Sequence, residues 1–250
     1  MLTSLLAGMV AGKGLLVVDM LAIGRLENGK WTNLVSKESD PVSRSRNIGF
    51  VELGLTWLKG KVVIPKLSLQ SEVAEGWFAI DVKYSSMVLW SGTQLQFPKW
   101  KAVSATNPVY LGVVRNHLKA KELPSAAVRI NRALSVDLDA DGTNEIVIEA
   151  APYADMVPRT MEQGKATDYT AILIRWVKNG KPVTTVVSHH DARGDNVLAS
   201  ADQLRAIADF DGDGKFELVC SADYYEGQSA AVYSFRKGVV KKLVSYDAGV

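Results

Sequence analysis

Cysteine is almost missing from this 250-residue chain: Cys220 is the only one, so no disulfide can form within it. It lies in a strand-like apolar run, where a thiol serves as a small core hydrophobe rather than a nucleophile. Histidine is nearly as scarce, with only His117, His189 and His190, which leaves little for a histidine-built zinc site. Charge of one sign is lacking too. The balance of 29 basic against 27 acidic residues gives +2, and no global field argues for nucleic acid. No apolar run reaches the ~20 residues a membrane-spanning helix needs. The apolar start, Met1 to Gly12, lacks the basic n-region of a signal peptide. It reads as a trimmed or misplaced start, or as a first strand or helix. Neither Ser188 nor Ser221 sits in a G-x-S-x-G elbow.

The charge that is present is unevenly placed. Residues 1–122 carry 15 basic and 9 acidic side chains, whereas residues 123–250 carry 14 and 18. Eight of those 18 carboxylates fall in two short segments. Asp137-Leu138-Asp139-Ala140-Asp141-Gly142-Thr143-Asn144-Glu145 recurs 72 positions later as Asp209-Phe210-Asp211-Gly212-Asp213-Gly214-Lys215-Phe216-Glu217. Both read D-x-D-x-D-G-x-x-E, and both run into apolar residues, Ile146-Val147-Ile148 and Leu218-Val219-Cys220.

Four carboxylates crowded into one tight loop repel one another unless a cation lies among them. Calcium takes six to eight oxygens at about 2.3–2.6 Å, and alternate side chains of a tight loop converge on one point. The expected ligands are Asp137, Asp139, Asp141 and Glu145 in one loop, and Asp209, Asp211, Asp213 and Glu217 in the other. Gly142 and Gly214 permit the sharp turn. The backbone carbonyls of Thr143 and Lys215 then become available. Two Ca²⁺ sites are therefore expected; magnesium is less apt, because it prefers to keep its waters. An EF-hand needs Glu at position 12, where this chain has Ile148 and Cys220, and its flanks are helices where these read as strands.

The loop pattern, followed by Ile or Leu and Val, resembles the FG-GAP and VCBS repeats. These are known from the propellers of integrin α-subunits and from many bacterial secreted or cell-envelope proteins. The match is specific over 134–148 and 206–220 and extends over about 125–250. The Phe-Gly and Gly-Ala-Pro elements are missing, which favours the looser, uncharacterised bacterial branch. The resemblance implies propeller-type blades in which a structural calcium ion sits in the loop joining two strands. Two such repeats cannot by themselves close a ring.

The rest of the chain reads as mainly β. Short runs of Val, Ile, Leu, Tyr and Trp alternate with Gly, Asn and Asp. Leu21–Val35, Ile172–Val187 and Val232–Val244 share one grammar of strand, basic residue, Gly-centred turn and returning strand. Asn28-Gly29 and Asn179-Gly180 are strong type I′ signals. Leu53–Leu67 is a looser copy around Lys59-Gly60. Residues about 125–190 and 200–250 each parse as four antiparallel strands with the acidic loop inside the first hairpin, the anatomy of a propeller blade. Asn107-Pro108 predicts a cap and first turn for one amphipathic helix over 108–122, with Val109, Val113, Val114 and Leu118 near helical spacing. Residues 91–107 read as its linker. A division into 1–106 and 107–250 follows. The first part is β-rich, as a sandwich, a barrel or metal-free blades. It holds Trp31, Trp57, Trp77, Trp90 and Trp100, which read as strand core before sugar-stacking surface.

Weaker signals remain. His189-His190-Asp191 is a possible acid–base cluster, with a solvated loop as the plainer reading. Arg193-Gly194-Asp195 spells an adhesion tripeptide, and Asp223 to Gly227 is a polar-aromatic loop. The expectation is a non-enzymatic calcium-binding protein, secreted or of the cell envelope, that presents loops to a protein or glycan partner. A calcium-stabilised hydrolase or glycan-active enzyme, and a structural subunit of an extracellular filament or envelope assembly, are the alternatives.

Overall fold

The computed structural model describes residues 14–18, 21–33, 51–52, 69–70, 79–80, 88–90, 92, 95–154, 165–192, 200–224 and 227–249. In chain order, the first strands are β1 (Gly14–Val18), β2 (Leu21–Glu27), β3 (Lys30–Thr32), β4 (Val51–Glu52), β5 (Leu69–Gln70), β6 (Ala79–Ile80) and β7 (Val88–Trp90). There follow β8 (Trp100–Ala102), helix α1 (Pro108–Ala120), β9 (Ile130–Val136), β10 (Glu145–Ala150), β11 (Tyr169–Lys178) and β12 (Lys181–Asp191). The chain ends in β13 (Ala201–Ala208), β14 (Glu217–Tyr224), β15 (Gly227–Arg236) and β16 (Val239–Gly249). The protein is mainly β, as its punctuation predicts.

Three antiparallel sheets form. Sheet 1 has the order β3-β2-β1-β7-β4, sheet 2 β12-β11-β10-β9-β8, and sheet 3 β13-β14-β15-β16; β5 and β6 pair separately. Sheets 2 and 3 contain the two four-stranded units expected from the sequence, each a meander with the acidic segment joining its first two strands. All three predicted hairpins are present. Their turns, Asn28-Gly29, Asn179-Gly180 and Lys237-Gly238, have positive φ at both residues. That is the type I′ signature, whose twist matches the flanking strands. The Lys59-Gly60 turn lies outside the described residues. The stretch expected as linker does more than connect. Trp100–Ala102 pairs with β9 as an added edge strand, and Asp209 donates its N–H to Gln96 O at 2.9 Å. The described residues do not close into a barrel or a propeller.

The sheets stack face to face with sheet 3 in the middle. On one side, Leu16, Ile23, Leu26 and Trp90 of sheet 1 meet Ala206, Val219, Val232 and Val244 of sheet 3. On the other, Val147, Ile172 and Ile174 of sheet 2 meet Leu204, Ile207, Leu218 and Phe235. Leu218, Val219 and Cys220 alternate between the two cores, which explains why this part of β14 is apolar at three successive positions rather than every second residue. Sheets 1 and 3 come close at Gly24, where a Cβ would lie 2.6 Å from Val244 Cγ2. Trp31 and Trp90 each meet Phe210 edge-to-face and each other at a tilt, with ring centroids 5.1–6.0 Å apart, so these two tryptophans are core residues. Trp57 and Trp77 lie outside the described residues.

Helix α1 covers the far face of sheet 2. Asn107 Oδ1 accepts the Val109 N–H at 2.9 Å, the predicted cap, and Pro108 occupies the first turn. Val113, Val114 and Leu118 bury against Ile148, Ala171 and Leu173. Val109 is exposed, because its place in the first turn faces away from the sheet. The helix stops at Ala120, two residues earlier than the pattern suggests, and Glu122 turns to φ 58°. An ion pair that sequence reasoning missed joins sheets 2 and 3. Glu149 and Arg132 lie 3.5 Å apart and clamp one residue of β13: Leu204 N–H donates to Glu149 Oε2 and Leu204 O accepts from Arg132.

Candidate metal centres

Both acidic loops adopt one hydrogen-bonding scheme. The Asp at position 1 turns its carboxylate inward, and Oδ2 accepts the glycine N–H of position 6 at 2.9 Å, Gly142 to Asp137 and Gly214 to Asp209. The Glu at position 9 folds back across the loop to the N–H of position 2, Leu138 to Glu145 at 2.8 Å and Phe210 to Glu217 at 3.1 Å. The Asp at position 5 accepts from the residue two places on, Thr143 to Asp141 at 2.7 Å and Lys215 to Asp213 at 2.8 Å. Positions 4 and 6 are left-handed in both loops: Ala140 and Gly142, Gly212 and Gly214. The side chain at position 2 is fully buried and anchors each loop, Leu138 between sheets 2 and 3 and Phe210 between sheets 1 and 3.

This scheme brings together Asp137, Asp139 and Glu145 in loop 1, and Asp209, Asp211 and Glu217 in loop 2. Within each triad, one oxygen per residue lies within 4.8 Å of the others. Oxygens on opposite sides of an ion with bonds of about 2.4 Å would be about 4.8 Å apart, so the spacing suits a hard cation. Asp141 and Asp213 are exposed and stand outside the triads, their Oδ1 atoms holding the turn. Thr143 and Lys215 use their N–H groups in the same turns.

The electrostatics are those of carboxylates in need of a counter-charge. Burial, reinforced by the neighbouring aspartates, pushes the Glu145 carboxyl up to about 7. Burial and Asp211 push Glu217 up to about 8, and burial raises Asp211 as well. Asp139 is 9% exposed, and its Oδ1 is buried with no hydrogen-bonding partner. An orphan carboxylate oxygen in an apolar setting is costly unless something charged or donating satisfies it. The residues present fit a divalent cation.

The two centres differ in their surroundings. In loop 2, Arg236 donates to Glu217 Oε1 at 2.9 Å and lies 3.4 Å from Asp213, so a guanidinium already offsets part of the charge. No Lys or Arg pairs with the loop 1 triad among the described residues. Loop 1 instead contacts sheet 3 through backbone: Lys237 N–H donates to Asp139 Oδ2 and Phe216 N–H donates to Leu138 O, both at 2.9 Å. The second of these joins the two loops directly.

The other sequence signals fall elsewhere. His189 pairs with Asp191 at 2.9 Å, and His117 of α1 meets His189 at 3.1 Å, which makes a His–His–Asp line that local reasoning missed because its members are 72 residues apart. His190 points the other way, to Asp202 at 3.0 Å. Tyr224 OH donates to Asp247 at 2.6 Å. Arg193-Gly194-Asp195 lies outside the described residues. Cys220 is buried and free, and burial raises its thiol pKa, which suits a core residue. No described helix is long and apolar enough to cross a membrane.

Comparison with protein-family models, with curated proteins and with solved structures yields no match.

Proposed function

We propose that this is a non-enzymatic calcium-binding protein of the cell surface or extracellular space, with one structural Ca²⁺ in each acidic loop. The observation that carries the reading is the orphan Asp139 Oδ1 beside Asp137 and Glu145, in a loop whose hydrogen bonds at positions 1, 5 and 9 recur in the second loop. Calcium bonds would turn two repulsive carboxylate clusters into ties between successive strands. Millimolar calcium outside cells suits sites of extracellular type. Sheets 2 and 3 would then be FG-GAP or VCBS-like blades. The packing of sheet 1 against sheet 3, the first against the last in sequence, is the neighbour relation that a ring of blades requires. A protein or glycan partner would engage the exposed loops.

The test is a calorimetric calcium titration combined with thermal melts in calcium and in EGTA. Two sites should titrate. Each should add about 2.7 kcal/mol of stability at a hundredfold excess of calcium over Kd. Replacing Asp139→Asn and Asp211→Asn together should abolish both effects. A wild-type melt indifferent to the chelator sinks the reading.

A further inference from the structure

At the end of sheets 2 and 3 remote from the acidic loops, the face of sheet 3 that carries Leu218 and Phe235 changes character. Cys220 and Ala222 continue β14 on that face, and Ser229 and Ala231 continue β15. Large side chains give way to small ones, and the edge strand β12 does not fill the gap. A cleft of about 270 Å³ results, with Ser188 and His190 on one wall and Tyr233, Ser245 and Tyr246 on the other. Its floor is buried, while His190, Lys242 and Asp247 stand exposed at the rim.

Asp202 lines this cleft and is 3% exposed. Its Oδ1 is engaged by His190 at 3.0 Å and by Ser200 Oγ at 3.4 Å. Its Oδ2 is buried without a hydrogen-bonding partner, and so is the hydroxyl of Ser188. A carboxylate fixed by one oxygen, with the other left over inside a cleft, is a ready acceptor for a ligand's O–H or N–H. Charges of both signs border it: Asp202 and Asp247 face Lys242, and His190 hydrogen-bonds to Asp202. A strongly anionic or cationic ligand would meet a like charge there, whereas a neutral ligand with several hydroxyls would not. Tyr233 supplies amphipathic wall, and the serines supply donors and acceptors.

We propose that this cleft binds a neutral polyhydroxylated ligand of monosaccharide size, with Asp202 Oδ2 and Ser188 Oγ accepting and donating to its hydroxyls. The site is independent of the acidic loops, so it stands or falls separately from calcium binding.

The experiment records amide shifts of the ¹⁵N-labelled full chain, calcium present, on titration with glucose, galactose, mannose and N-acetylglucosamine in turn. At least one sugar should move Ser188, Ala222, Ser229 and Ala231 saturably. Ala231→Leu fills the floor with an apolar side chain and should remove the response while leaving the calcium-dependent melt unchanged. Asp202→Asn should weaken binding at least tenfold. Ethylammonium serves as the charged control. The proposal fails if no sugar moves these amides, if Ala231→Leu still responds, or if ethylammonium moves them and the sugars do not.

Discussion

The N–H of Phe216 donates to the carbonyl of Leu138 at 2.9 Å, so the two acidic loops are hydrogen-bonded to each other. Leu138 gives its own N–H to Glu145, and Phe216 directly precedes Glu217. One residue, Leu138, thus lies between the position-9 carboxylates of both centres. A cation that orders one loop orders a donor or acceptor that the other depends on. Calcium binding should therefore be positively cooperative, with a coupling of about 1 kcal/mol, roughly fivefold in affinity. Titration of Asp139→Asn should show weaker binding at the remaining site than a two-independent-site fit of the wild type assigns to it. An unchanged second affinity would rule the coupling out.

Arg236 acts as a resident cation beside Glu217 and Asp213. Replacing it with glutamine should cost the calcium-free protein about 1–2 kcal/mol, the scale of one partly exposed charge-assisted hydrogen bond. The same change removes a positive charge from the edge of the second centre, so calcium affinity there should rise. Melts in EGTA and calorimetry in calcium read the two effects separately. Loss of affinity in Arg236→Gln would mean that the arginine assists the ion rather than competing with it.

Ala140 sits at φ 57°, where the second loop has Gly212 at φ 78°. A side chain in this region costs about 1–2 kcal/mol relative to glycine, less the extra backbone freedom that glycine loses on folding. Ala140→Gly should stabilise the protein by up to about 1 kcal/mol. Chemical denaturation measures it. Gly212→Ala should destabilise by a similar amount.

The His117–His189 contact makes an acid-sensitive joint between α1 and sheet 2. Asp191 accepts from His189 Nε2, which leaves His189 Nδ1 to accept from His117 Nε2 when both rings are neutral. Burial, with His189 and Lys121 nearby, lowers the His117 pKa from 6.5 to about 4. The unfolded chain therefore takes up a proton that the folded chain refuses between those values. The stability this group supports is full above about pH 6.5 and is lost as pH falls toward about 4. His117→Gln should flatten that part of the stability–pH curve. Melts across the range check it, and an unaltered slope would assign the acid limb to other groups.

Local chemistry made much of this protein legible. Asn107-Pro108 announced a helix start because a cap is a matter of three or four residues. Asn28-Gly29 and Asn179-Gly180 announced their turns because few residues tolerate two positive φ values in succession. The spacing of Asp137, Asp139 and Glu145 announced their convergence for the same reason, since all three lie within one loop. Asp141 and Asp213 also hold the N–H two residues ahead, a local bond that alternation by itself does not announce.

What the chain determined alone was every feature whose partners lie within about a dozen residues: strands, type I′ turns, the helix cap and the convergence of each acidic triad. The tertiary structure decided which strands face which. It placed sheet 3 between two others, set Leu138 against Phe216, joined His117 to His189 and left Asp202 with an unused oxygen in a cleft. Those relations depend on how two-sided sheets stack, and stacking is decided by the fit of whole apolar faces, which no short window of sequence contains.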